Sequence, residues 1–187
     1  GDLPMQYRHQ QGTEIFRKSD KILQDTCFDK INYCNELMSN HLGIDLTYSI
    51  QENVVLPYYD HKMIVNQYEG SINPMMMMQR LYQLAISLGV EIFYGVNINS
   101  IDADNHQLMA ADVNINYKKL IVCTNGFAQQ LYPDLDVVPA RNQVLITQPI
   151  QGFDLPSCYH LDKGYVYFRV YENRILLGGG RNIGGKA

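Results

Sequence analysis

The segment from Gly164 to Asn182 constrains the fold of this chain more than any other. In Gly164-Tyr165-Val166-Tyr167-Phe168-Arg169 the residues alternate with period two. Tyr165, Tyr167 and Arg169 therefore share one face of a strand, and Val166, Phe168 and Val170 share the other. The second face is core. The first sets two phenols and a guanidinium side by side, which suits a pocket for a small, polar, anionic molecule. After a turn, Arg174-Ile175-Leu176-Leu177 runs into Gly178-Gly179-Gly180-Arg181-Asn182. The triple glycine invites a dinucleotide reading, but the third glycine of Gly-x-Gly-x-x-Gly, counted from Gly178, falls on Ile183, and no helix is signalled after it. These glycines are read instead as places of close approach, to packed neighbours or to a flat ligand.

Upstream, Asn73 is a good N-cap and Pro74 suits the first helical position. Met77, Leu81, Leu84, Ala85 and Leu88 make one apolar stripe that Gly89 ends. This predicts a helix over 74–88, with the Met75–Met78 run used for packing. Short strands follow at Val90–Tyr94 and Val96–Ile101, a turn at Asp102–Asn105, a strand at Gln107–Ala110 and, after a second turn, an apolar strand at Tyr117–Cys123 that stops at Thr124-Asn125-Gly126. Residues before about Ser49 lean towards helix. Ser19-Asp20 offers a cap, and Phe28, Ile31, Leu37, Met38 and Leu42 recur at helical spacing before Gly43. Val54-Val55-Leu56, broken at Pro57, and Gln143–Thr147 read as strand. The expected class is α+β, a mixed sheet with helices on one face.

With 46% hydrophobic and 18% charged residues over 187 positions, the chain can bury a real core. A net charge of -4 with scattered cations argues against nucleic acid or an anionic membrane as the main partner. Cys27, Cys34, Cys123 and Cys158 form no Cys-x-x-Cys pair, and no leader or long apolar run is present, so reduced thiols in the cytoplasm are expected. The five histidines are scattered without ligand spacing, so no metal site is expected. There is no Gly-x-Ser-x-Gly elbow and no Walker motif. His160 and Asp162, just before Tyr165, lie either in a pocket or on a solvated loop. Leu120–Ala128 is either a nucleotide-facing strand end or a tight turn at Gly126. Gly1-Asp2-Leu3 opens without an initiator Met, and Gly184–Ala187 ends without a closing element, so the chain reads as a piece of a longer protein.

Five blocks together carry a resemblance. They are Tyr68-Glu69-Gly70-Ser71-Ile72-Asn73-Pro74, the helix ending Leu88-Gly89-Val90, Leu120–Ala128, Val138-Pro139-Ala140-Arg141-Asn142-Gln143-Val144-Leu145, and Gly164–Asn182. Their order and spacing resemble the middle section of the FAD-dependent D-amino-acid oxidase and glycine oxidase family. The family's opening strand, glycine-rich turn and helix, which bind the FAD pyrophosphate, have no counterpart here. Nor has its C-terminal segment, which in amino-acid oxidases carries the arginine that grips the substrate carboxylate.

The resemblance implies a substrate-binding domain in two parts, 1–70 and 134–187, around the later helix and strands of an FAD-binding domain at 71–133. Asn97 falls where relatives touch the adenine end of FAD through main-chain atoms, and Thr124, Asn125 and Gly126 fall at the turn beside the cofactor. Pro139, Arg141 and Gln143 match a Pro-x-Arg-Gly-Gln segment in which Asn142 replaces glycine. Tyr165 falls on the tyrosine that bonds the substrate carboxylate, with Tyr167 and Arg181 facing the same cavity. The implied function is oxidation of a small amine or amino acid by hydride transfer to FAD, with the protein positioning substrate and excluding water. A 2-hydroxy-acid oxidase on the same scaffold and a non-catalytic binding module are the alternatives. Alone, the chain is expected to hold FAD poorly and to be inactive, with its open sheet edges covered by a second copy in a homodimer.

Overall fold

The computed structural model describes residues 6–52, 58–140, 142–180 and 182. The proposed strand at Val54–Leu56 and the site candidate Arg181 lie outside them, as does Arg141. The chain divides into two compact units, Gly1–Arg80 with Asn142–Gly185, and Leu81–Arg141 with the last two residues.

The first unit is built on a seven-stranded sheet. Its strands are β2 (Gln11–Glu14), β3 (Tyr48–Glu52), β4 (Lys62–Asn66), β9 (Gln143–Ile146), β10 (Ser157–Leu161), β11 (Val166–Tyr171) and β12 (Arg174–Gly179), in the order β3-β4-β2-β10-β11-β12-β9. β2 and β10 pair in parallel, and the other pairings of this sheet are antiparallel, so it is mixed. A two-stranded piece joins β1 (Arg8–His9) to β5 (Gly70–Ser71).

The alternation expected along β11 is present. Phe168 lies opposite Tyr159 on β10 and Val166 opposite Leu161. The Tyr159 and Phe168 rings stack with centroids 5.0 Å apart, an aromatic cross-strand pair worth about 0.5–1.5 kcal/mol beyond its burial. Ile15, Tyr159 and Leu161 form the core, with Met63, Tyr59, Leu155, Val166 and Phe168 packed on it. β11 turns into β12 through Glu172 and Asn173, both with left-handed φ (50° and 58°). This two-residue connection follows the twist of the flanking strands.

β2 is a strand that the sequence reading assigned to a helix-leaning region. Its Gly-Thr-Glu pattern is too short to announce a period, and its partners β10 and β4 are distant in sequence. Ile15 and Phe16, just after it, are nevertheless nearly inaccessible. The helical stripe around Phe28–Leu42 resolves into two helices, α1 (Lys21–Asp29) and α2 (Ile31–Leu42), separated at Lys30. Asp20 is the N-cap position of α1, but its side chain makes no cap bond and instead faces Arg17 at 3.4 Å. Gly43 closes α2 in the left-handed conformation, as expected. α1 docks by an edge-on contact of Phe28 with Phe16 at 5.7 Å. In α2, Asn35 clamps the first residue of β3, accepting from the Tyr48 N–H (2.8 Å) and donating to its carbonyl (2.9 Å).

Helix α3 (Pro74–Ser87) starts where predicted, with Asn73 Oδ1 accepting from the Met75 and Met76 N–H groups at 3.1 and 3.2 Å. The second unit contains the meander β6 (Ile98–Asp102), β7 (Gln107–Ala110) and β8 (Val113–Asn116). Val90–Tyr94 and Tyr117–Cys123, expected as strands, form none: the chain bends at Tyr94 and at Lys118–Lys119, the Tyr117 N–H bonds the His106 carbonyl at 2.9 Å, and Phe93, Tyr94 and Ile121 are largely exposed. An apolar run becomes a strand only when neighbours bond its backbone, and no described strand lies alongside either segment.

Candidate functional site

Cross-strand register defines the face of the sheet opposite Phe168. Tyr167 pairs with His160 on β10 and with Gly178 on β12. His160 pairs with Glu14 on β2, and Cys158 pairs with Gly12. Tyr167, Arg169, His160, Cys158 and Glu14 therefore share one face.

Tyr167 is half-buried, and its ring lies across β12. A Cβ placed on Gly178 would sit 2.5 Å from Cε2 and Oη of that ring, so only glycine lets the phenol rest there. At Gly179 a Cβ would meet the Tyr165 carbonyl, which accepts the Gly180 N–H at 2.9 Å. Both glycines thus serve close approach to packed neighbours. Asn142, standing where the family pattern has glycine, donates from Nδ2 to the Tyr167 hydroxyl at 2.9 Å. Its backbone loses a glycine, and its side chain gains a role in fixing the phenol. Tyr165 is half-buried in the β10–β11 connection.

Beside these residues, a cavity of about 260 Å³ is lined by Gly12, Glu14, Asn66, Glu69, His160 and Gly164, among others. Glu69 Oε2 lies 3.4 Å from His160 Nε2, and Asn66 Nδ2 donates to Glu69 Oε1 at 3.1 Å. The absent side chain of Gly12 leaves the space that the Glu69 carboxylate fills. The contact with His160 holds the Glu69 carboxyl below its ordinary value, and the same contact raises the imidazole of His160. Burial raises Glu14. His160 thus belongs to a cavity rather than to a solvated loop. Glu14 and Glu69 were missed because nothing local marks them; the parallel β2–β10 pairing brings Glu14 there, and the turn after β4 brings Glu69.

In the second unit, Asn97 lines an apolar groove of about 830 Å³ with Phe93, Val96, Leu108, Val113 and Ile115 among its walls. Thr124, Asn125 and Gly126 are not part of that lining. They start a 3-10 helix, Asn125–Gln130, in which the Phe127 N–H bonds the Thr124 carbonyl at 2.9 Å. Thr124 Oγ1 is buried and has no hydrogen-bond partner among the described residues. Gly126 stands 3.0 Å, measured from an added Cβ, from Pro139.

A family model described as FAD dependent oxidoreductase matches residues 46–187, and the chain belongs to that family. Among solved structures it is similar to iminodiacetate oxidase from Chelativorans sp. BNC1, with a TM-score of 0.74 and 14% identity over 95% of this chain and 50% of that one. It is similar to glycine oxidase from Geobacillus kaustophilus, with a TM-score of 0.73 and 12% identity over 94% and 48%. A third likeness is to L-alpha-glycerophosphate oxidase from Mycoplasma pneumoniae with FAD bound, with a TM-score of 0.70 and 13% identity over 93% and 50%. The chain thus spans about half the length of these proteins. No curated protein matches it. Among the described residues no helix is long and apolar enough to cross a membrane, and no group of three or more His, Cys, Asp or Glu side chains is placed to hold a metal ion.

Proposed function

We propose that this chain supplies the substrate-facing sheet, and part of the cofactor side, of an FAD-dependent oxidoreductase acting on a small amine or amino acid. The observation that carries the reading is the placement of Tyr167, whose phenol is held by Asn142 over Gly178 on the face opposite the core. Because Asn142 donates to the phenol oxygen, the phenol's own proton remains available to an anionic acceptor such as a substrate carboxylate. Tyr165, and Arg181 beyond the glycines, complete the substrate side.

On this reading residues 1–70 and 134–187 form the substrate-binding domain and 71–133 part of the FAD-binding domain. Two features of the second unit fit a flavin nucleotide: the orphaned Thr124 hydroxyl, which needs an acceptor or donor, and the apolar groove at Asn97. Asn97, Thr124, Asn125 and Gly126 would hold the cofactor. When bound, FAD supplies the hydride acceptor. The residues of this chain bind the carboxylate, orient the Cα–H bond and exclude water. The unpaired apolar segments at 90–94 and 117–123 are where a dinucleotide-binding unit would add strands, and a second copy would pair at the edge strands β3 and β9.

A full-length protein carrying this sequence should bind FAD and release hydrogen peroxide, or reduce another acceptor, on addition of amino acids or N-methyl amines. Turnover of 2-hydroxy acids alone would favour oxidation of a hydroxyl, the reading that the likeness to glycerophosphate oxidase keeps in view. A full-length protein that binds no FAD would be a non-catalytic module, and the proposal would fall.

A further inference from the structure

We infer that His160, oriented by Glu69, takes the proton that a substrate ammonium must give up before the carbon beside it can be oxidised. The inference rests on the reading above that the Tyr167 face of β11 looks toward an amine or amino-acid substrate. His160 is the cross-strand neighbour of Tyr167 on that face, and it lines the cavity of about 260 Å³. One of its ring nitrogens is committed and the other is open. Nε2 faces Glu69 Oε2 at 3.4 Å. Nδ1 is accessible and has no hydrogen-bond partner among the described residues. In the neutral imidazole, a proton on Nε2 toward the carboxylate leaves the lone pair on Nδ1.

The carboxylate is itself held in place. Asn66 Nδ2 donates to Glu69 Oε1 at 3.1 Å, and the missing side chain of Gly12 gives the group its room. A carboxylate so placed fixes the imidazole tautomer and stabilises the imidazolium that forms when a proton arrives. The other titratable groups about the ring are Glu14 on β2, Tyr167 on β11, Tyr48 on β3, and Asp162 and Lys163 in the turn after β10. Glu14 adds to the attraction for an imidazolium, and its own carboxylate accepts from the Lys163 N–H. The contact with Glu69 raises His160, which makes the neutral ring a better base. Stability alone gives little reason for the arrangement, because a pair with side chains 37% and 40% exposed contributes little. The step moves one proton. An N–H bond of the substrate ammonium breaks, its electron pair stays on nitrogen, and the proton goes to Nδ1, leaving a neutral amine and an imidazolium. Only the neutral amine has the lone pair that lets the adjacent carbon lose a hydride.

The test uses the full-length protein and its Glu69→Gln and His160→Gln variants. The His160 ring is titrated by carbon-13 NMR, alone and with 2-aminoisobutyrate, glycine or isobutyrate. The first of these ligands has no hydrogen on its α carbon and is not oxidised; the last has no amine. An ammonium seated against Nδ1 should lower the imidazole pKa by about one unit or more, and isobutyrate should not. In parallel, kcat/KM for glycine and for sarcosine is followed against pH. In the wild type its rise should coincide with the His160 titration, and in Glu69→Gln both should move down together. In His160→Gln the rise should shift up to the ionisation of the substrate amine itself, with kcat/KM at neutral pH lower by about a hundredfold or more. A loss of activity with the rise left in place would mark a merely structural role and overturn the inference. So would a wild-type rise already set by the substrate amine, or a His160 titration that neither 2-aminoisobutyrate nor glycine moves. The FAD content of the same samples tests the flavoenzyme reading separately. An ammonium-dependent His160 shift without FAD would keep the proton site and remove that reading; FAD and turnover with an unmoved His160 titration would do the reverse.

Discussion

Replacing Gly178 with alanine tests the packing on which the candidate site depends. The backbone at Gly178 lies outside the left-handed region, so alanine is conformationally acceptable there. In an open position it would stabilise by about 0.4–1 kcal/mol through the unfolded chain. Here the new methyl meets the Tyr167 ring, with Cε2 and Oη both 2.5 Å away. The atoms it meets are the far end of a side chain, so the strain is relieved when the phenol swings aside. That movement gives up ring packing, within the roughly 1–3 kcal/mol typical of overpacking, and the bond from Asn142, worth about 0.5–1.5 kcal/mol. A net loss of about 1–2 kcal/mol is expected in urea unfolding. In a Tyr167→Ala background the ring atoms that crowd the methyl are gone, and Gly178→Ala should be neutral or slightly stabilising. A double-mutant cycle therefore gives a coupling of at least about 1 kcal/mol. Gly179→Ala should cost more than Gly178→Ala, because its methyl would meet the Tyr165 backbone, which cannot swing away, and because its φ is 128°. Equal costs of Gly178→Ala in both backgrounds, within about 0.3 kcal/mol, would refute the reasoning and show that Tyr167 does not lie over β12.

Other outcomes follow from the same geometry. Tyr165→Phe in the full-length protein should raise KM for a carboxylate substrate with a smaller change in kcat, and an unchanged KM would remove Tyr165 from the site. Asn73→Ala should cost about 1 kcal/mol and reduce helicity by circular dichroism, since Asn73 caps two N–H groups of α3, a helix without a fully buried residue; unchanged helicity would show that the cap is dispensable. The Glu69–His160 contact should make stability depend on pH. The Glu69 carboxyl is lowered from 4.5, so its contribution is present above about that pH and is lost as pH falls through the lowered value. The His160 imidazole is raised from 6.5, so its contribution is complete below that pH and is lost as pH rises through the raised value. The pair therefore helps most between 4.5 and 6.5. Glu14, raised from 4.5 chiefly by burial, loses its contribution as pH rises from there through its raised value and does not regain it above, and the Glu69 charge adds to that rise in the wild type. Both partners of the pair are more than a third exposed, so the effect is below about 1 kcal/mol. Glu69→Gln should flatten the decline of the urea midpoint as pH rises above 6.5, and equal slopes in the two proteins would contradict the pairing.

Where local chemistry sets the outcome, the sequence was legible. The α3 cap is carried by Asn73 and Pro74 themselves, the Gly43 stop by a residue that tolerates left-handed φ, and the two faces of β11 by strict alternation. The order of five blocks was enough to suggest the family that the match over residues 46–187 establishes. Illegible features were those created by distant pairing. Nothing around Glu14 or Glu69 marks them as neighbours of His160, and a lone departure from pattern at Asn142 does not reveal that its amide will reach Tyr167.

The sequence alone thus determined which side chains stand on which face of each strong element, because helix and strand periods are properties of the local backbone. Tertiary structure decided which elements exist in the weak cases and what meets across them. The apolar run at 117–123 forms no strand because no strand among the described residues lies alongside it, whereas the modest Gly-Thr-Glu of β2 lies in the middle of the sheet because β4 and β10 bond it from both sides. Backbone hydrogen bonds between strands belong to pairs of segments, and a pair is not written in either segment.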